Sequence, residues 1–170
     1  MRAVRLSSGN RRATAAKRYF PTNPSRLLMA NDGLMVSVSG IRGRVGEALT
    51  PEVVARYAAG FGAWSKRRTG SKTRIVVGRD SRVSGPMFHR VVLAALQSVG
   101  CDIIDIGLTT TPTCQLAVES HHAAGGLMIS ASHNPIEWNA LKFIGSSGLF
   151  LEASEGAEMQ IGRASCRERV

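Results

Sequence analysis

The sequence has little cysteine, few aromatics and no long apolar run. Its three cysteines, Cys101, Cys114 and Cys166, show no CxxC spacing and leave one over. Neither a zinc site nor a disulfide framework is indicated, and a reducing, cytoplasmic compartment fits. No apolar stretch approaches the roughly 18 residues that would span a bilayer, so no membrane partner is expected. A secretory signal is excluded because no apolar segment follows the first charges. Aromatic residues are 5% of the chain, which leaves little for stacking on bases. What remains, 44% hydrophobic and 20% charged over 170 residues, is the composition of one globular domain.

Acid is missing from the first 28 residues, and that explains most of the net charge of +10. Residues 1–28 hold seven Lys and Arg and no Asp or Glu, while 161–170 hold three Arg against one Glu. Between 29 and 160 there are 12 basic and 11 acidic residues, so the body is nearly neutral. A folded nucleic-acid binder carries its basic face on the domain itself, so no nucleic-acid partner is expected. Residues 1–28 read as a basic leader, disordered or upstream of a native start at Met29. Their Arg- and Ser-rich, acid-poor composition also fits an organelle transit peptide. The last ten residues, IGRASCRERV, can be back-translated as ATCGGAAGAGCGTCGTGTAGGGAAAGAGTG, which resembles read-through of a sequencing-library adapter. Residues 161–170 are therefore expected to be non-native, and the domain to span 29–160.

The middle alternates strand-like and helical patterns without an internal repeat. Leu34–Ser39 reads as a short strand leading into a glycine-punctuated turn, SGIRGRVG. Thr50-Pro51 supplies an N-cap and a first-turn proline, and Val54, Tyr57, Ala58 and Phe61 then share one helical face. Arg74–Gly78 is a buried strand. Phe88, Val91, Val92, Ala95 and Val99 mark a second helix, ended by Gly100. Cys101–Gly107, a helix from Thr111-Pro112 to about Ser120, and strands at Gly126–Ser130 and Asn139–Ile144 follow, before a helix from about 151. Alternating elements with buried strands predict a layered α/β domain. In such sheets ligands gather beyond the strand ends.

Three polar loops are candidates for chemistry. In Ser39–Gly43, glycines permit close backbone approach and Arg42 can fork onto a phosphate. No GxGxxG or GK[ST] accompanies it, so both nucleotide fingerprints are absent. Gly78–Gly85 sets two arginines around Asp80 at a strand end, either to handle an anion or as an Arg–Asp bracket with a serine cap. The bracket is the reading adopted for Asp80. Ser130–Pro135 (SASHNP) packs hydroxyls, an imidazole and an amide together. It lacks the GxSxG elbow, and Ser132 beside His133 is poorly disposed as a nucleophile–base pair.

The run ISASHNPIEWNALKF resembles the phosphoserine loop of the α-D-phosphohexomutases, which include phosphoglucomutase, phosphomannomutase and phosphoglucosamine mutase. SGIRG and GRDSRVSG are similar to the family's other first-domain motifs in order and spacing, over about residues 34–151. Ser130 stands where threonine is common. The resemblance implies a layered α/β/α domain with a mixed sheet, the first of four around one cleft. It implies an intramolecular phosphotransferase that interconverts hexose 1-phosphate and hexose 6-phosphate through a phosphoserine and a bisphosphate. By the same likeness Ser132 is the phosphorylated serine, His133 and Asn134 support the loop, and Lys142 assists proton transfer or stabilises the phosphoryl. Arg42 would lie beside the phosphoserine. Mg²⁺ would be bound through the phosphoryl on Ser132, its other ligands coming from a DGDGDR-like run that this sequence does not contain. The sugar-recognition and phosphate-clamping loops are also absent, so the chain is expected to be an N-terminal fragment without turnover of its own. The alternative is a free-standing, non-catalytic domain that binds a sugar phosphate or a partner. His89, His121 and His122 match nothing catalytic.

Overall fold

The computed structural model describes residues 33–70 and 73–165. The basic leader, the start at Met29, Cys166 and the last four residues of the tail lie outside the described residues. Among the described residues, six strands and four helices follow one another as β1 (Met35–Ser37), β2 (Gly40–Arg44), α1 (Pro51–Thr69), β3 (Arg74–Arg79) and α2 (Gly85–Ser98), then β4 (Asp102–Leu108), α3 (Thr111–Ser120), β5 (Gly125–Ile129), β6 (Trp138–Gly145) and α4 (Ala153–Ser165). The strands form one mixed sheet in the order β1-β2-β6-β5-β3-β4. β3 runs parallel to β4 and β5, and the other pairings are antiparallel.

Burial on both faces of the sheet explains the sequence of β3. In β3, Ile75 and Val77 belong to the larger core with α1, α2 and α4, while Val76 belongs to a smaller core with Cys114 and Val118 of α3. A strand covered on both faces reads as a continuous apolar run, as RIVVG does. The aromatics concentrate where α1 crosses the sheet. Phe61 stacks on Phe143 with centroids 5.4 Å apart and lies 5.8 Å from Trp64. Burying one such side chain contributes about 1.5–3 kcal/mol. α4 is tied to α1 by the Trp64 indole, which donates to Glu158 at 3.1 Å, and by Arg68 bridging to Glu155 and Glu158.

The expected cap and apolar face of α1 are present. Thr50 Oγ1 accepts from the Val53 amide at 3.4 Å, and Val54, Tyr57, Ala58 and Phe61 are all buried. Thr110 caps α3 in the same way through the Thr113 amide. Two expectations need correction. The SGIRG segment is strand β2, not a turn: Ile41 and Gly43 are buried and Arg42 and Arg44 exposed, the period-2 pattern that its glycines obscured. The turn is Val38-Ser39, because Ser37 pairs with Gly40. Ser84 does not cap α2 with its side chain. Its Oγ instead accepts from the buried Asn139 Nδ2 at 2.8 Å, linking the loop after β3 to β6.

Candidate active site

β3 lies between β5 and β4, so the connection through α2 leaves it in one direction and the next, through α3, returns across it. Crossovers of one hand running in opposite directions place their helices on opposite faces. The loops after β3, β4 and β5 therefore splay apart at one end of the sheet, which is where α/β domains bind ligands. A cleft of about 820 Å³ opens there. It is lined by Asp80–Val83 after β3, by Leu108–Thr111 from the end of β4 to the start of α3, by Met128 of β5, and by Ser130, Ser132, Asn134 and Ile136 after β5.

Ser132 stands exposed at the mouth of this cleft with φ of +54°, in the left-handed region that non-glycine residues rarely enter. Its amide donates to Ser130 Oγ at 3.1 Å, and the Asn134 amide donates to the Ala131 carbonyl at 3.1 Å. A residue held in that region costs on the order of 1–3 kcal/mol and persists only where the surroundings impose it. Lys142 Nζ donates to Ser132 Oγ and to Thr111 Oγ1, each at 3.4 Å. It comes from β6, where Lys142 pairs with Met128 of β5, and its ammonium also lies 5.9 Å from the Phe150 ring. Burial pushes the Lys142 pKa below its ordinary value near 10.5, and the Asp80 carboxylate pulls it part of the way back. Lys142 is thus a half-buried amine held at a hydroxyl, not a solvated strand lysine.

The other expected residues are spread more widely. Asn134 lines the cleft, and His133 is exposed on the turn beside it. Arg42 sits on β2 opposite Ala140, one diagonal step from Lys142 on the same sheet face. Its Nε donates to the Met35 thioether at 3.3 Å, and it is not among the cleft-lining residues. His89 pairs with Asp105 at 2.9 Å, and His121 and His122 are exposed at the end of α3. Burial raises the thiol of Cys114 to about 12, so it is inert at neutral pH.

Two residues were not marked as site residues by the sequence. Arg82 reaches across from the β3 loop into the serine loop, and Thr111 holds the far side of Lys142. The signal for Arg82 was its place in the Asp80 bracket. The ion pair is present, Arg82 Nε facing Asp80 Oδ2 at 3.4 Å without hydrogen-bond geometry, while the Arg82 amide donates to Asp80 Oδ1 at 3.1 Å. Its reach into the serine loop depends on β3 and β5 being neighbours, which no local pattern encodes.

Removing the Lys142 charge should separate stability from chemistry. An amine whose folded pKa lies below its unfolded one binds fewer protons folded than unfolded between those values, so its contribution to stability rises with pH across that window. Lys142→Met should raise the melting temperature at pH 7, with the advantage shrinking as pH climbs toward 10.5. Thermal melts from pH 7 to 10.5 test this, and a lower melting temperature at pH 7 would contradict it.

A layered α/β/α domain that presents a hydroxyl and an ammonium together at its switch point is suited to handling a transferable group. Residues 33–164 match the family described as phosphoglucomutase/phosphomannomutase, alpha/beta/alpha domain I. The chain belongs to the phosphoglucomutase/phosphomannomutase family. It is 39% identical over 125 residues to a phosphoglucomutase/phosphomannomutase of Thermococcus kodakarensis, covering 74% of this chain and 27% of that protein. A phosphoglucosamine mutase of Lactobacillus delbrueckii is 37% identical, with 71% of this chain and 27% of the relative covered. The crystal structure of a putative phosphomannomutase from Thermus thermophilus superposes with a TM-score of 0.71 at 27% identity, over 78% of this chain and 30% of that one. The chain thus spans about a quarter to a third of the length of these relatives.

Proposed function

We propose that this chain is the phosphoserine-bearing domain of a cytoplasmic phosphohexomutase that interconverts hexose 1-phosphate and hexose 6-phosphate. The observation that carries the reading is Ser132 Oγ within 3.4 Å of Lys142 Nζ at the switch point, in a chain of this family. Ser132 Oγ forms the bond to phosphorus as the sugar oxygen leaves, and the reverse step returns a phosphoryl to the other sugar position. The hydroxyl gives up a proton and the departing oxygen gains one, so the step is proton-neutral. Lys142 Nζ lies 3.4 Å from the Ser132 hydroxyl, and its ammonium stabilises charge on the transferring phosphoryl. His133 and Asn134 follow the serine in the same loop.

Magnesium takes about six oxygen ligands at near-octahedral geometry. Among the described residues no three His, Cys, Asp or Glu side chains gather to hold a metal. Asp80, the carboxylate in the cleft lining, is paired with Arg82. These residues do not fit a magnesium site by themselves.

Incubating the chain with a hexose 1,6-bisphosphate and mapping the product by tandem mass spectrometry tests the reading. One phosphoryl group on Ser132 is expected, with no sustained turnover in a coupled mutase assay. Sugar phosphate bound with Ser132 unmodified would favour the non-catalytic binding domain instead.

A further inference from the structure

The GRDSRVSG loop carries two arginines, of which Arg82 lines the cleft, yet the arrangement leaves Arg82 no free donor face for a substrate anion. Arg82 Nη1 donates to the carbonyls of Pro135 at 2.8 Å and Trp138 at 3.0 Å. Arg82 Nη2 donates to the carbonyls of Ser132 at 2.8 Å and Asn134 at 2.7 Å. Asp80 faces the remaining nitrogen, and the side chain is only 11% exposed. Arg79 Nη1 turns back onto the Asp80 carbonyl at 3.2 Å. Four carbonyls from a seven-residue stretch thus converge on one guanidinium. Two further ties join the same loops: the Asp80 amide donates to the Ile129 carbonyl at 3.0 Å, and Asn139 reaches Ser84.

We infer that Arg82 is a positioning residue that folds the serine loop around its guanidinium and so fixes Ser132 for phosphoryl transfer. The inference rests on Ser132 being the phosphorylated serine. Two physical consequences follow from the geometry. First, the Ser132 carbonyl is bound directly, which holds the residue at its positive φ against the preference of an L side chain. Second, the carbonyl oxygens of Ser132 and Asn134 are drawn onto a cation, so their partial negative charge is neutralised beside the hydroxyl that receives an anionic group. Both effects act on Ser132, not on the sugar. A lysine at 82 keeps the charge but not the planar fork, and cannot gather four carbonyls.

The test compares the parent chain with Arg82→Lys and Arg82→Ala by thermal melts, amide hydrogen exchange and the rate of Ser132 phosphorylation by a hexose 1,6-bisphosphate. Losing hydrogen bonds to a charged group should speed exchange of the Ser132, Asn134 and Trp138 amides by about 10-fold or more. Amides of β3 and β5 should keep their protection. Phosphorylation should slow by about 100-fold, with the bisphosphate concentration at half-maximal rate little changed, as expected for a residue acting through geometry. Arg82→Lys should fold normally and share the defect, so the readout survives if Arg82→Ala does not fold. Unchanged loop exchange in Arg82→Lys overturns the inference. So does a rise in the half-maximal concentration at unchanged maximal rate, which would make Arg82 an anion contact. If the parent chain takes up no phosphoryl, the serine reading fails, and loop exchange alone still decides whether Arg82 holds the loop.

Discussion

Gly40→Val should destabilise the domain by at least about 3 kcal/mol, a large share of the roughly 5–15 kcal/mol available to an ordinary domain. Gly40 opens β2 with φ of +149°, a conformation that L side chains rarely adopt. A Cβ there would run into the Leu141 carbonyl oxygen and lie 3.0 Å from Lys142 Cα. Both obstacles are backbone, so neither can rotate aside. The only relief is to move β2 away from β6, and Gly40 is the register partner of Lys142. The substitution should therefore also loosen the amine that faces Ser132. Gly70→Ala is the control: φ is +84° and ψ −156°, but a Cβ there meets nothing within 4 Å, so only the backbone cost of about 1–3 kcal/mol applies. Denaturant melts of both variants read the difference. If Gly40→Val loses no more stability than Gly70→Ala, the close approach of β2 to β6 has been misjudged.

The same residue shows where sequence reading stops. α1 was legible because its cap and proline at Thr50-Pro51 and its apolar stripe are local signals. β3 was legible because a strand buried on both faces needs no alternation. β2 was not, since two of its five residues are glycine and a glycine run resembles a turn until its partner strand is known. Gly40 serves a contact about 100 residues away in the chain, with Leu141. Ser84 misled for a related reason. A serine before a helix suggests a cap, but its hydroxyl is engaged by Asn139, which belongs to β6.

The site divides along the same line. Ser132, His133, Asn134 and Lys142 fall within eleven residues, so one motif contains the loop, and the turn into β6 brings Lys142 back to Ser132. Arg82 comes from the loop after β3 and Thr111 from the start of α3, which only the strand order unites with the serine loop. Arg42 joins neither group: it shares a sheet face with Lys142, but its guanidinium rests on Met35. Arginines near a phosphate motif suggest phosphate contacts, yet in Arg82 the guanidinium serves backbone carbonyls. Nothing in the types or spacing of GRDSR distinguishes those two uses.

Ser132 itself carries the largest expected effect on chemistry, and its backbone makes the test sharper than a single alanine. Both Ser132→Ala and Ser132→Gly remove the hydroxyl, so each should lower phosphoryl uptake from a hexose 1,6-bisphosphate by at least about 10⁴-fold, as loss of a nucleophile does. Their stabilities should differ in a set direction. Alanine keeps the Cβ that disfavours φ of +54°, whereas glycine enters that region freely. Ser132→Gly should therefore be more stable than Ser132→Ala by about 1 kcal/mol. The usual order in regular structure is reversed here, because glycine ordinarily costs about 0.5–1 kcal/mol relative to alanine. Parallel denaturant melts and phosphoryl-uptake assays measure both quantities. Equal loss of uptake with glycine the more stable would mean that the loop holds a strained backbone to present one oxygen. Residual uptake in either variant would place the acceptor elsewhere, and alanine the more stable would mean that the turn imposes no strain on Ser132.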